Sequence, residues 1–413
     1  MKSLVLLTTK YAESMADAWL TNEMAYSFRD DGHSMSVVVF SWLRDDPKSS
    51  VKEIDGIKVI RIKLFNFFYT TGFIGTALKV FLFPYWARIV IKRHVKQCDL
   101  LIANTPCVTI VGLASFFKRN YQSKSYLVLW DFFPFYLKDL GVIRNKFFFN
   151  FFQRLESKMY RSFDRIGCMT KGNIEFLLEN YIGVDKSRVE ILPLWANIKN
   201  VPEIDRVAVR TKYKLPHDKV IAIYGGAMSI VQELDNLLDL ARLSLSAKDN
   251  VCFLFIGRGT ECERLKARAN SELLTNVIFF DYVPREEYQD VVQACDIGMI
   301  SLSSKLSVPS FPSKSVDYFK VSLPILASLD AVTDFGSILQ EDIRAGFSVV
   351  AGNSERLHEK LILLASSASL RKEMGQAGRR YYEEFLRMLR STCRAAMAGR
   401  NSPGNQRYSL KTA

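Results

Sequence analysis

Ser307–Asp330 reads SVPSFPSKSVDYFKVSLPILASLD and is the most informative stretch of the chain. The segment predicts a loop, a short helix and a buried strand. Pro309 and Pro312 stiffen the loop. Pro312 or Ser313 opens the helix, because proline suits the first helical turn and a serine side chain caps free N–H groups. Val316, Phe319 and Leu323 fall on one helical face. Pro324 leads into Ile325–Ala327, an apolar run of the kind buried on both faces of a parallel sheet. Lys314 is thereby placed at a helix N-terminus, where unpaired N–H groups and the helix dipole favour an anion. With Asp317 one turn on, two readings fit. A lysine on a phosphate and a carboxylate on a sugar hydroxyl would make a nucleotide-sugar clamp. The same residues also suit a capped surface helix with a solvated lysine.

The run Pro312-Ser313-Lys314-x-x-Asp317-Tyr318, followed by Pro324-Ile-Leu-Ala-Ser328, resembles the donor-site segment of retaining GT-B glycosyltransferases of family 4. The match is closest to the branch that builds bacterial surface polysaccharides such as O-antigen, capsule and exopolysaccharide. This resemblance implies Lys314 on the donor diphosphate and Asp317 on the ribose, with Phe311 and Ser313 beside them. The wider family carries two glutamates eight positions apart. Asp317 stands at the second position and Pro309 at the first, so the sugar-ring contact is unassigned. Ser322 replaces a glycine, and so has to take a helix-ending conformation at roughly 1 kcal/mol.

A chain of 413 residues, 48% hydrophobic and 24% charged, fits two globular domains better than one core. The net charge of +13 suits nucleic acid, an anionic membrane face or a phosphorylated ligand. The seven cysteines are scattered, unpaired at short spacing and partly inside apolar strands. That is the pattern of a reduced, cytoplasmic protein rather than of a disulfide framework or zinc site. The four histidines form no metal motif, and no Asp-x-Asp pair is present, so no metal or other cofactor is expected. No signal peptide is expected either. The longest apolar stretch, Leu64 to Val95, is broken by Lys79, Pro84 and Arg88, which argues against a membrane span.

Leu4–Leu7, a helix over Ala16–Phe28 and Val37–Phe40 predict a βαβ opening. Ligands of such sheets sit beyond strand C-termini, so the polar loop Thr8–Met15 faces a cleft. It lacks the glycines usual in the family, which implies that the other domain holds the donor phosphate. Asn66–Lys96 mixes aromatic residues with Lys79, Arg88, Lys92 and Arg93, and Ile143–Ile166 carries Phe147, Phe148, Phe149, Phe151 and Phe152 among six basic residues. Both stretches fit either buried helix packing or contact with an anionic membrane surface. A strand over Tyr126–Leu129 leads into Trp130-Asp131-Phe132-Phe133-Pro134, similar to the Asp-x-x-Pro of the polysaccharide branch. Asp131 is the candidate for acceptor contact, against a helix cap or a strand-end turn; Trp130 stands where many relatives carry a histidine.

The second domain follows a charged linker near Asn197–Leu215. Val220–Tyr224 precedes Gly225-Gly226, which would let a phosphate approach the backbone. Gln232 and Leu234-Asp235 match the family's residues after that loop. Gly257-Arg258-Gly259-x-Glu261 is similar to its Gly-x-Gly-x-Glu turn, with Arg258 either solvated or a second phosphate contact. Tyr282-Val283-Pro284 resembles the segment beside the nucleobase.

The expectation is therefore an α/β GT-B protein of two doubly wound parallel-sheet domains facing a cleft. Residues 1–197 form the acceptor side and 198–380 the donor side; 381–398 is a helix returning to the first domain, and 399–413 a disordered basic tail. Asp131 and Lys314 are the candidate catalytic residues. Gly225, Gly226, Gln232, Arg258, Val283, Phe311, Ser313, Lys314 and Asp317 are the candidate donor contacts. The implied partners are a nucleoside diphosphate sugar, a lipid-linked glycan and the inner face of the plasma membrane, with no nucleic acid. A sugar-nucleotide epimerase of the same architecture and a non-catalytic sugar-nucleotide-binding subunit are the alternatives.

Overall fold

A computed structural model describes residues 1–14, 19–70, 72–105, 108–195 and 201–385. The chain divides into two compact units, one built on residues 1–195 and the other on 196–387.

The first unit carries β1 (Ser3–Thr8), α1 (Leu20–Asp30), β2 (Ser34–Phe40), β3 (Ser50–Ile54), β4 (Ile57–Ile62), α2 (Phe67–Thr70) and α3 (Gly72–His94). It continues with β5 (Leu100–Asn104), α4 (Leu113–Tyr121), β6 (Lys124–Leu129), α5 (Phe133–Asp139), α6 (Lys146–Ser162), β7 (Arg165–Cys168), α7 (Lys171–Asn180) and β8 (Val189–Ile191). The eight strands run β3-β4-β2-β1-β5-β6-β7-β8. All neighbours are parallel except β3 and β4, an antiparallel hairpin closed by Asp55-Gly56 with φ of 50° and 74°. That hairpin is absent from the sequence reading, although an Asp-Gly turn between two short strands is its usual signal. Strand order reverses between β1 and β5, so the ends of those strands open at the topological switch point. Met24, Ala25 and Phe28 of α1 pack on Leu4, Leu6, Val37, Val39 and Ile102 of the sheet. α1 starts at Leu20 rather than Ala16; Ala16 lies outside the described residues.

The second unit carries α8 (Arg206–Lys212), β9 (Val220–Gly225), α9 (Asp235–Ser246), β10 (Val251–Ile256), α10 (Cys262–Ser271), β11 (Val277–Phe280), α11 (Arg285–Ala294) and β12 (Ile297–Ser301). After it come α12 (Lys314–Lys320), β13 (Ile325–Leu329), α13 (Phe335–Ser337), β14 (Gly346–Val350), α14 (Ser354–Ser366) and α15 (Ala368–Phe385). Its six strands are all parallel in the order β11-β10-β9-β12-β13-β14. Counted within the unit this is 3-2-1-4-5-6, the doubly wound order whose switch point lies between β9 and β12. β10, β12 and β13 are buried along their whole length, which explains their unbroken apolar runs. Leu237, Leu240 and Ala241 of α9 and Leu357, Leu361 and Leu364 of α14 cover one face of this sheet. The helix expected over 381–398 falls largely, and the basic tail over 399–413 wholly, outside the described residues.

Five cysteines, 98, 168, 252, 262 and 295, are buried and free. Among the described residues no helix is long and apolar enough to cross a membrane.

Candidate functional site

In the second unit the predicted donor residues gather where β9 and β12 diverge. The two strands pair only through Ile297–Ala222 and Gly298–Ile223. Beyond that point the Tyr318 hydroxyl stands in for the ladder, 3.1 Å from the carbonyls of both Ile223 and Met299, and it accepts from the Gly225 amide at 3.3 Å. Its ring lies against Gly298, where a Cβ would come within 2.5 Å. Tyr318 thus fixes α12, and with it Lys314, to the switch point.

Lys314 is the first residue of α12. Its stem crosses Gly226, where a Cβ would sit 2.5 Å from Cε, and Nζ lies 5.0 Å from the centre of the Tyr224 ring. Part of the residue reaches solvent, yet burial lowers the pKa of the amine to about 8, with Asp317 pulling the other way. The ammonium is therefore under-solvated and held by a π face and one carboxylate, ready to gain from an incoming anion.

Several details of the segment differ from expectation. α12 has seven residues, and Ser313 occupies the N-cap position without a side-chain cap bond. The Ser315 and Val316 amides bond to the carbonyls of Pro312 and Ser313 at 3.0 and 3.1 Å, so these helix-start N–H groups are already satisfied. The positive charge here belongs to the Lys314 side chain more than to the helix end. Of the predicted face Val316, Phe319 and Leu323, the last two are buried and Val316 only half-buried, because α12 turns Ser315 and Tyr318 inward so that Tyr318 reaches the sheet. Ser322 does adopt the left-handed conformation expected of it, φ 59°.

The glycines after β9 and β10 have a steric role. Gly226 (φ 142°) and Gly257 (φ 148°) bring two loops together so closely that a Cβ on Gly257 would lie 1.9 Å from the Gly226 carbonyl. The Gly226 amide donates to Ile256 O and the Met228 amide to Arg258 O, each at 2.9 Å. With Gly225 bonded to Tyr318, the amides of both glycines are taken by protein. The space these glycines leave is used by side chains: Gly225 makes room for Tyr288 and Gly226 for Lys314.

Gln232 accepts from Ser229 Oγ at 2.6 Å and stiffens the loop before α9, and Ser303 N donates to Val231 O at 2.8 Å. Arg258 is exposed; Nε donates to Asp281 O at 3.2 Å, and the guanidinium lies 5.1 Å from the ring of exposed Tyr282. Neighbouring Val283 is buried. The Phe311 ring is also buried, 4.8 Å from Phe335, so it supports the loop from beneath. Asp317 is exposed. Asp330 holds the same loop from the far side: it accepts from the amides of Val332 and Thr333 and from Thr333 Oγ1, which in turn accepts from the Ser310 amide at 3.1 Å.

In the first unit Asp131 lies beyond the end of β6. Its amide and that of Trp130 donate to Thr105 Oγ1, just beyond β5, at 3.0 and 2.8 Å. The residue is open to solvent on one side, yet enough protein surrounds the carboxyl that desolvation raises its pKa to about 6, with Lys10 opposing. Lys10 follows β1 and its amine sits 4.2 Å from the Trp19 ring. The Asn22 side chain ties this loop by accepting from Ala12 N and Trp19 N. Sequence reading missed Glu156 of α6, buried and bonded to the Phe133 amide two residues past Asp131. A lone glutamate inside an aromatic helix carries no motif to find it by.

The aromatic stretches divide. Leu78, Phe81, Tyr85, Trp86 and Ile89 of α3 and Phe147, Phe148 and Phe151 of α6 are exposed, with the rings of Phe81 and Phe151 6.3 Å apart. Lys79, one of the basic residues interspersed in the first stretch, is only 5% exposed. It bonds to Trp42 O at 3.0 Å between the rings of Trp42 and Tyr69.

Among the described residues one trio of possible metal ligands, Cys262, Glu263 and Asp281, lies within 4.8 Å. Lys266 already bridges its two carboxylates.

Residues 205–381 match the family described as Glycosyl transferases group 1. The chain is 22% identical over 256 residues to "Probable glycosyltransferase WbjE" of Pseudomonas aeruginosa, covering 61% of this chain and 63% of that one. It is 23% identical over 194 residues to "Putative colanic acid biosynthesis glycosyl transferase WcaI" of Escherichia coli K12, covering 45% and 47%. The match thus spans about half to two-thirds of these relatives. Among solved structures it superposes on WaaG, a glycosyltransferase involved in lipopolysaccharide biosynthesis, with TM-score 0.68 and 15% identity over 96% of this chain and all of that one. It also superposes on HepE of Anabaena, solved with UDP and glucose, with TM-score 0.69 and 14% identity over 97% and 100%. The chain has the GT-B fold, two parallel-sheet α/β units, and its second unit carries a Glycosyl transferases group 1 domain.

Proposed function

We propose that the protein is a retaining glycosyltransferase of family 4 that moves a sugar from a UDP-linked donor to a hydroxyl of a lipid-linked polysaccharide intermediate. The observation that carries this reading is Lys314, whose under-solvated ammonium lies over Gly226 and Tyr224 at the switch point of the second sheet. As the glycosidic bond to the donor breaks, negative charge grows on the departing diphosphate. A fixed cation in a partly dry site stabilises that charge without reorganising. Lys314 does the work a metal ion would otherwise do. Asp317, one turn on, takes the ribose hydroxyls, and the Arg258–Tyr282 pair offers a flat, cationic face to the base. Asp131 orients the acceptor hydroxyl and draws off its proton; a carboxyl with a pKa of about 6 is ionised at neutral pH and still basic enough for the task. The exposed aromatic residues of α3 and α6, flanked by exposed Lys92, Arg93, Lys146, Arg154, Lys158 and Arg161, rest on the inner face of the plasma membrane, where a lipid-linked acceptor would lie. The relatives' names, for surface-polysaccharide synthesis, support the acceptor class.

The test is incubation with a panel of nucleotide sugars, with and without a lipid-linked acceptor. Acceptor-dependent release of nucleoside diphosphate, with a product of unchanged anomeric configuration, is the expected result. Epimer formed without acceptor would replace the reading with an epimerase, and binding without turnover would replace it with a carrier subunit.

A further inference from the structure

The backbone around Asp131 is held by side chains rather than by a strand ladder. Thr105 Oγ1 takes the amides of Trp130 and Asp131 at 2.8 and 3.0 Å. Two residues on, the Phe133 amide donates to Glu156 Oε1 at 3.1 Å. Between these points Phe132 is buried, with its ring 4.7 Å from that of Phe176 and 5.9 Å from that of Tyr181. Asp131 therefore sits on a short arch pinned at both feet. Thr105 pins its foot without a charge. Glu156 is a carboxyl, 1% exposed on the inward side of α6, and its second oxygen accepts from the Tyr181 hydroxyl. Tyr160 packs on Tyr181 with ring centres 4.8 Å apart. The groups acting on Glu156 are Tyr181, the Phe133 amide, Tyr160 and Asp131; Asp131 in turn feels Lys10 and acts on Tyr136. A glutamine could keep the Phe133 bond through its carbonyl and donate its amide N–H to the Tyr181 oxygen. What the carboxyl adds is an exchangeable proton within electrostatic reach of Asp131.

We propose that Glu156 is a positioning residue for Asp131, fixing its arch through the Phe133 amide and keeping its own proton while Asp131 is ionised, so that the pair carries one negative charge. This deepens the acceptor-side reading of Asp131 and rests on it for its catalytic meaning. Two carboxyls in one under-solvated region do not ionise together cheaply, so their protons leave in two steps. Burial raises Asp131 to about 6 and Glu156 to about 7, and the charge of Asp131 adds to the rise at Glu156. Asp131 loses its proton first, so between the two steps it is the ionised member beside a partner that still holds its proton, and at pH 7 that partner is about half protonated.

The test is a carboxyl-carbon NMR titration of the full chain labelled at Asp and Glu, which needs neither donor nor acceptor. The wild type shows steps near 6 and 7, assigned by their loss in Asp131→Asn and Glu156→Gln. Asp131→Asn lowers the Glu156 step by roughly half a pH unit or more, because a like charge is gone. Glu156→Gln leaves the Asp131 step near 6, since the partner is already neutral when Asp131 ionises. Glu156→Ala frees the Phe133 amide, admits water to the arch and drops the Asp131 step toward about 4. A Glu156 step unmoved in Asp131→Asn, or an Asp131 step in Glu156→Ala equal to that of the wild type, overturns the proposal. The Asp131→Asn arm decides even where Glu156→Ala fails to fold. An inactive wild type with these shifts intact would sink the transferase reading alone.

Discussion

Replacing Lys314 with Met keeps a flexible stem over Gly226 and against Tyr224 while removing the charge. Two effects of opposite sign are expected. Burial lowers the amine from 10.5 to about 8, and a fall of that size corresponds to about 3 kcal/mol of cost for keeping it charged in the folded state. Partial solvent access reduces the figure, and the Tyr224 π face offsets about 0.5–1 kcal/mol. Lys314→Met should therefore stabilise the ligand-free protein by about 1–2 kcal/mol at pH 7. The sign follows from linkage: a depressed lysine costs stability at every pH below its folded value, and the cost fades between about 8 and 10.5. The gap between variant and wild type should accordingly close as pH rises through that window. Binding moves the other way. A charge-assisted bond to phosphate is worth about 1.5–3 kcal/mol, so affinity for UDP should fall roughly 10- to 150-fold. Urea denaturation from pH 7 to 10.5 and titration calorimetry with UDP read the two effects. A variant less stable than wild type would make the amine a structural group, and unchanged UDP affinity would remove it from the diphosphate.

Asp317→Asn should weaken UDP binding roughly tenfold while leaving the thermal midpoint of the ligand-free protein nearly unchanged; lower stability at equal affinity would make Asp317 a helix residue only. Asp131→Asn should cut turnover by roughly 100-fold with donor affinity retained, and should abolish the rising limb near pH 6 of the wild-type kcat/KM profile. Equal losses of donor affinity and turnover would move Asp131 off the acceptor side. The full chain should co-sediment with anionic liposomes at low salt and release as salt rises, since each basic residue near the surface contributes about 1 kcal/mol over a screened range. Phe81→Ser with Phe151→Ser should weaken that binding at every salt concentration, and indifference to anionic liposomes at low salt would reassign the patch.

Long apolar runs and their glycine and proline breaks made both sheets legible, because parallel strands buried on two faces leave an unmistakable pattern. The Ser307–Asp330 segment gave its loop, helix and strand in order, and Ser322 its left-handed backbone. The Ser50–Ile62 hairpin was missed because its edge strand β3 is solvent-exposed and carries almost no apolar signal. The glycine loops were read by type and not by role: nothing local in Gly225-Gly226 says that its amides meet Tyr318 and Ile256, residues 93 and 30 positions away. Lys79 and Glu156 were invisible for the same reason. Each is an ionisable residue whose burial depends on aromatic partners brought in from elsewhere in the unit.

The most direct test of the account is proton uptake when UDP binds at pH 8. Lys314 is about half protonated there, and a bound diphosphate would raise its pKa and draw in the rest. Calorimetry in two buffers of different ionisation enthalpy should give uptake of roughly half a proton in the wild type and none in Lys314→Met. Equal proton uptake by the two proteins, or none in the wild type, would contradict the placing of the diphosphate on Lys314.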